Sequence, residues 1–368
     1  MNKLFLLFFG LLSQISVAQS DPLEAVEVSV LTVGTADESH SLYGHTALRV
    51  KNNTTQTDLV YNYGMFDFST PNFVLRFVKG DMQYFAAAYP YADFEYTYRY
   101  ENRSIYEQKI DLSNAQKKKL LMALENSIKG EEKFYTYKFI DRNCTTKVVD
   151  VINEAMGKDI VYKKNSGELT YREILYPYAQ NHFFQKLGIN IIFGSKVDQV
   201  ATKLFLPLDL KYNLEYCDDN YQPLVTENKT IFEANRTPNI PWWDSIYTLL
   251  AFLTLIVIAR KTFIADFYFV LIGLLGIFFS VVGFYSFHQE LLGNYNILLF
   301  NPVLLLVVFF KVKGYKNAFL WASFIGIVSL IVYLLYMYKK IHLEIVWPFM
   351  IAHAVLLIQG LIPHARKK

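Results

Sequence analysis

The sequence predicts an α+β soluble domain followed by a five-helix transmembrane domain. Two observations carry this prediction. Residues 20–240 mix charged and apolar positions, whereas residues 243–362 are mostly apolar and broken only by short polar loops. Within the first part, alternating strand patterns come before helical ones. A third observation gives the compartment. Residues 1–18 have the layout of a secretory signal, with Lys3, an apolar run over 4–12 and the small-residue site Ser16-Val17-Ala18. The apolar run is short of the ~20 residues a span needs, which disfavours a retained anchor. The expected organisation is therefore a signal peptide over 1–18, an exported domain over 19–240 and a membrane domain over 241–368.

The net charge of +3 averages two unlike regions. The soluble part has no basic cluster, which argues against a nucleic-acid partner. The expected spans are 243–259, 264–283, 296–310, 318–337 and 343–362. The third contains Asn301-Pro302, which predicts a broken turn at its start. Arg260, Lys261, Lys311, Lys313, Lys316, Arg366, Lys367 and Lys368 would share one side of the membrane, with only Lys339 and Lys340 in the short loops of the other. That bias puts the C-terminus in the cytoplasm and residues 19–240 outside an inner membrane. Pro238 to Pro241 reads as a linker, and Trp242-Trp243 as an interfacial anchor.

Along the soluble part, 26–34 reads as a strand ending at Gly34, 43–50 as a second strand carrying His45, and 59–64 as a third after an Asn- and Thr-rich turn. Residues 73–110 are dense in Tyr and Phe and read as β-rich, with Tyr96 to Tyr100 alternating like a strand. Ser113 and Gln116 form a capping-box pattern for a helix reaching about Ile128, with Gly130 as its stop. An aromatic run over 134–140 leads to a helix that begins on Cys144, buries Val148, Val149, Ile152 and Met156, and ends at Gly157. A short helix is expected over 171–179, and residues 205–210 are expected to cover the domain or meet the membrane.

The chain has two cysteines. Cys144 stands at a helix N-terminus, where free N–H groups favour a thiolate. Cys217 stands in Glu215-Tyr-Cys-Asp-Asp219, whose acids disfavour one. In an oxidising compartment the structural alternative is a Cys144–Cys217 disulfide. Thiol acyl transfer needs a base, a group orienting that base, and donors for the oxyanion. Of seven histidines, His45 is the best base, on a rigid strand start beside Gly44; His40 lies in a loop and His182 at an aromatic helix end. The orienter is Asn62 or Asp58, with Asn62 preferred because Asp58 sits at the turn edge. Asp141 reads as an N-terminal helix acid. Candidate substrate contacts are Asn143, Tyr43, Arg142 and Arg172, together with His288 and Glu290 in an outer loop that also holds Asn294, Asn296 and Asn301. The bland reading of that loop is a cap between helices. His353 and Gln359 in the last span are expected to face other helices. The histidines show no ligand spacing, so neither a metal nor another cofactor is expected.

The order of the pair is informative. His45 precedes Cys144 by 99 residues. Papain-like enzymes have the cysteine first; here the order is reversed. The pattern resembles the permuted papain-like acyltransferases typified by lecithin–retinol acyltransferase, in which a strand His and a later Asn-Cys make a thioester from a phospholipid acyl chain. Asn143-Cys144 matches that pair, while Thr145-Thr146 departs from the usual continuation. Three segments resemble the periplasmic domain of the Lnb family of bacterial lipoprotein N-acyltransferases: Ser41-Leu-Tyr-Gly-His45-Thr-Ala-Leu-Arg49, Tyr61-Asn-Tyr-Gly64 and Asp141-Arg-Asn-Cys144-Thr-Thr146. Phe287-His288-Gln-Glu290 and the stretch from Asn294 to Pro302 resemble an outer loop of that family's membrane half. The resemblance implies a permuted papain-like periplasmic domain. It also implies transfer of an acyl chain from a phospholipid, through a Cys144 thioester, to the N-terminal cysteine amine of a lipoprotein. The partners would be that phospholipid, the lipoprotein and the membrane itself. The competing readings are a thiol phospholipase, a cell-wall peptidase or amidase of the same fold, and a non-enzymatic scaffold stapled by the disulfide.

Overall fold

The computed structural model describes residues 21–365 apart from 68, 165–166, 220–221 and 239. The expected signal segment and the basic residues Arg366, Lys367 and Lys368 lie outside the described residues. The N-terminal part runs β1 (Val26–Val33), β2 (His45–Asn52), β3 (Thr57–Met65), α1 (Phe73–Lys79), β4 (Gln83–Pro90), α2 (Tyr91–Tyr100), β5 (Ile105–Ile110), α3 (Asn114–Ser127), β6 (Phe134–Thr136) and α4 (Cys144–Met156). It continues through α5 (Tyr171–Leu175), α6 (Phe183–Ile192), α7 (Pro207–Leu214), the two-residue strands β7 (Asp218–Asp219) and β8 (Gln222–Pro223), and β9 (Val225–Phe232). Among the described residues, seven strands form one antiparallel sheet in the order β6-β4-β3-β2-β1-β5-β9. The fold is α+β, as expected.

Alternation along the strands sorts their residues to two faces. Val28, Val30, Leu48, Tyr61 and Tyr63 pack under α3, α4 and α7. Leu31, Val33, Ala47, Val60 and Ile105 pack under Phe94 of α2. Helix α4 turns Val148, Val151, Ile152 and Ala155 to the sheet. Each buried aliphatic chain is worth roughly 1.5–3 kcal/mol, against about 1 kcal/mol for an N-cap. Burial therefore holds α4 on the sheet, and the cap decides where it starts.

The aromatic stretch after Phe73 departs from expectation. Tyr91–Tyr100 is a helix, with Phe94 and Tyr98 one turn apart and in edge contact at 4.7 Å, and with a Glu95–Arg99 ion pair on its outer side. Pro90 stands at its N-cap, where its missing N–H costs nothing. Phe73–Lys79 is a second helix where a strand was expected, closed by Gly80 in the left-handed region. The edge strand β9 carries an almost wholly exposed run, and the sequence showed no pattern for it.

The C-terminal part is helical: α8 (Ile246–Ala259), α9 (Thr262–Tyr285), α10 (Val303–Lys313), α11 (Lys316–Met337) and α12 (Leu343–Ala365). Three helices, α9, α11 and α12, are long and apolar enough to cross a membrane. A fourth candidate is the bent pair Gln289–Leu298 with Val303–Lys313, which turns by 41° at Asn301-Pro302. Helix α8 has 14 residues, about 21 Å of helix, short of a hydrocarbon layer of ~30 Å. The described residues thus give three or four candidate spans, fewer than the five expected. His353 faces the bundle interior, 2.8 Å from the Tyr268 hydroxyl.

The two parts are fastened by polar contacts. Asn294 Nδ2 donates to the carbonyls of Ile191 and Ile192 at 2.9 Å, and Asn296 Nδ2 to those of Asn190 and Ile191 at 3.2 and 3.0 Å. Lys340 pairs with Asp198 at 2.8 Å. Gly194 packs so tightly on Leu292 that a Cβ there would stand 1.9 Å from its carbonyl oxygen. The bland reading of the Asn294–Asn301 loop is what these contacts describe, but its partner is the N-terminal domain as well as the neighbouring helices.

Candidate active site

Two glycines shape the site. Gly44 has φ +84°, and a Cβ there would meet the Val33 carbonyl oxygen at 2.5 Å. Only glycine turns the chain there and delivers His45 to the first position of β2. Gly64 has φ +86° and stands in the irregularity between Asn62 and Met65, where β3 comes alongside Cys144.

In the β2–β3 register Ala47 faces Asn62, so Asn62 is the diagonal neighbour of His45 on one sheet face. His45 Nε2 lies 3.0 Å from Asn62 Oδ1. The Asn62 amide is buried, and its Nδ2 donates to the Val60 carbonyl at 3.1 Å. That bond fixes the amide with its oxygen toward the imidazole. His45 then donates from Nε2, which leaves Nδ1 as the basic nitrogen. The ring is hydrogen-bonded to Cys144. Asp58, the alternative orienter, is held elsewhere by Arg49 at 2.6–2.8 Å. His40 lies on the surface beside Glu38, and His182 between Asp37 and Asp244.

Cys144 is the first residue of α4. Asn143 caps it: Oδ1 accepts from Thr146 N–H at 3.0 Å, while Nδ2 donates to Phe139 and Phe205 carbonyls at 2.7 and 2.8 Å. The Thr146 hydroxyl accepts from Asn143 N–H at 2.8 Å and completes the box. Thr145 Oγ1 lies 3.0 Å from Thr46 Oγ1 and ties the helix start to β2. The Thr145-Thr146 pair that departs from the wider acyltransferase pattern thus has two local tasks. Burial alone would raise the Cys144 thiol. The His45 hydrogen bond and charge, the Thr46 backbone N–H and the Thr145 hydroxyl outweigh it and hold the thiol below its usual value. Burial pushes Cys217 the other way, and its Sγ contacts the Asn213 carbonyl at 3.3 Å. Both cysteines are free thiols.

The other candidates scatter. Tyr43 packs edge-on against Phe139 at 5.2 Å. Arg142 lies over the Tyr135 ring at 5.3 Å. Asp141 pairs with Lys196 and Lys203 instead of facing the helix start. Arg172 is 2% exposed and engaged with Asp198, so it is no headgroup contact. His288 Nε2 donates to the Phe77 carbonyl at 3.0 Å. Glu290 is 1% exposed and accepts from Ile140 N–H at 3.1 Å, four residues before Cys144. Sequence reasoning gave no role to Tyr135. Its hydroxyl is buried beside Gly64, near Cys144, without a hydrogen bond of normal geometry. Such a donor is rare in a folded interior.

Residues 14–176 match the family model of the Lnb N-terminal periplasmic domain. Over that segment the chain is similar to the Lnb N-terminal periplasmic domain. The matched segment holds His45, Asn62 and Cys144, and a helical part with three or four candidate spans follows it. No curated protein and no solved structure gives a match.

The shifted thiol makes a prediction for this domain. Alkylation of Cys144 by iodoacetamide should rise with pH through a midpoint below 9, and that of Cys217 through one above it, read by peptide mass spectrometry. Asn62→Ala should move the Cys144 midpoint upward, because the imidazole loses its fixed tautomer. Equal profiles for the two cysteines would contradict the geometry.

Proposed function

We propose that this protein is a lipoprotein N-acyltransferase working through a Cys144 thioester. The observation that carries the reading is the hydrogen-bonded series Cys144–His45–Asn62, set in a domain fastened to membrane helices. His45 Nδ1 takes the thiol proton as the sulfur attacks the carbonyl carbon of a phospholipid ester. The oxyanion is met by N–H groups at the start of α4, by Thr46 N–H and by the unpartnered Tyr135 hydroxyl. The C–O bond to glycerol breaks, and the leaving oxygen takes the proton back from His45. Lysophospholipid departs and a Cys144 thioester remains. The α-amine of a lipid-modified N-terminal cysteine then attacks the thioester and gives a proton to His45. The C–S bond breaks, and the sulfur recovers that proton.

The experiment is an intact-mass measurement of the purified protein with a phospholipid of known acyl chain. The expected result is one acyl group on Cys144, released by hydroxylamine and transferred when a diacylglyceryl-cysteine peptide is added. An adduct elsewhere, or none, overturns the reading. Release to water at the same rate with and without the peptide would make the protein a phospholipase.

The topology belongs to the same proposal. Helix α8, with exposed Trp242 and Trp243 in the turn before it as interfacial anchors, is the fifth span of an inner-membrane protein, and the C-terminus is cytoplasmic. Arg260 and Lys261 between α8 and α9, and Lys311, Lys313 and Lys316 at the facing ends of α10 and α11, support this. A green fluorescent protein fused to the C-terminus should fluoresce; a dark, exported fusion would refute it.

A further inference from the structure

Helix α1 (Phe73–Lys79) has an odd surface. None of its residues is buried, and Val74, Leu75 and Phe77 are 69%, 69% and 50% exposed. Large apolar side chains grouped in this way on one short helix mark a contact surface. The helix is nevertheless firmly placed. Ser286 Oγ donates to the Val78 carbonyl at 2.7 Å, Phe287 N–H to the Lys79 carbonyl at 2.7 Å, and His288 to that of Phe77. Gly80 makes this fit possible, since a Cβ there would stand 2.9 Å from the His288 ring. Helix α1 is thereby fixed to the periplasmic end of span α9, whose own end exposes Val281, Phe284, Tyr285 and Phe287. The apolar surface of α1 continues that of the span.

What covers the end of α9 also covers α1, and for a membrane span that is lipid. The charges agree. Arg76 and Lys79 flank the apolar residues, with Asp81 beside them, and suit the phosphate level of a leaflet. Beneath α1 a small cavity is lined by Phe77, Gly80, Met82, Tyr84, Tyr137 and His288. Tyr84 stacks on Tyr137 at 4.4 Å. Tyr137 and Cys144 both pack against the core that contains Tyr84 and Tyr135.

We propose that α1 is seated in the periplasmic leaflet and that the seam Phe77–Met82–Tyr84–Tyr137 admits one acyl chain of a leaflet phospholipid toward Cys144. The seating stands on the surface alone; the delivery rests on the thioester reading above.

The test uses the full chain in vesicles of phosphatidylethanolamine and phosphatidylglycerol. Leu75 is replaced by the photo-crosslinker p-benzoylphenylalanine. The control is Thr55, in the β2–β3 turn, about 25 Å along the strand from His45. Seating predicts phospholipid adducts at position 75 and none at 55. No adduct at 75, equal adducts at both, or a crosslink from 75 to a second copy of the chain overturns it. Delivery is read with the double variant Val74→Asp, Leu75→Asp. Acyl-adduct formation on Cys144 from vesicle lipid should fall about tenfold or more, while alkylation of Cys144 by iodoacetamide stays unchanged. An unchanged adduct rate overturns delivery. If the unaltered protein forms no adduct, the thioester reading fails, and the crosslinks still decide the seating.

Discussion

Cys144→Ser is expected to abolish N-terminal acylation of lipoproteins, read by mass spectrometry of their N-terminal peptides. The loss should be about a thousandfold or more, the scale seen when a nucleophile is removed from a catalytic unit that acts as a whole. The geometry explains why serine is no substitute. The features that hold the thiol below its usual value are one imidazole, one backbone N–H and one hydroxyl. A hydroxyl begins several units higher, and the same neighbours leave it protonated. Cys217→Ser supplies the control. That sulfur is 1% exposed and contacts only the fold around it, so acylation should stay near normal. Equal loss at both cysteines would favour the disulfide scaffold, and full acylation in Cys144→Ser would remove the nucleophile.

The second large effect is structural. Arg172→Ala should destabilise the protein by about 3–5 kcal/mol, the cost of leaving a buried ion pair half-made. The guanidinium donates to Asp198 at 2.6 Å, to Asn190 Oδ1 at 2.9 Å, and to the carbonyls of Asn190, Phe193 and Gly194 at 3.2–3.3 Å. Those carbonyls belong to the segment that Asn296 and Gly194 lock to the membrane half. Thermal unfolding in detergent should shift down by roughly 10 °C, and limited proteolysis should cut near residues 190–200. Arg172→Lys should rescue little, since one ammonium cannot fill a planar fork of five bonds. A shift within measurement error would show that the contacts are incidental.

Much of this molecule is readable in its sequence where local chemistry decides. The strand patterns of β1 to β3, the Ser113 capping box, the helix that starts on Cys144 and its Gly157 stop all lie where patterning puts them. The His45–Asn62 contact was also within reach, because a hairpin's register follows from its turn. Tyr91–Tyr100 was misread because aromatic alternation mimics a strand, while the deciding contact is Phe94 against a sheet face that local sequence does not reveal. The Glu290–Ile140 bond joins residues 150 apart. No local pattern announces it, so the sequence reads the outer loop first as a cap between helices and only second as part of a lipid site. Tyr135 stayed silent for another reason: an unpartnered hydroxyl is a property of its surroundings.

The bond from Glu290 to the segment just before Cys144 has a kinetic consequence. In the proposed reaction a thiol tied to the spans would work at one fixed height above one leaflet, and both proposed substrates are confined to that leaflet. Encounter is then two-dimensional, and the relevant concentration is molecules per area of membrane. Diluting the sample with buffer would leave the rate per enzyme unchanged. Diluting the bilayer with inert lipid or detergent would slow it, although every bulk concentration stayed the same.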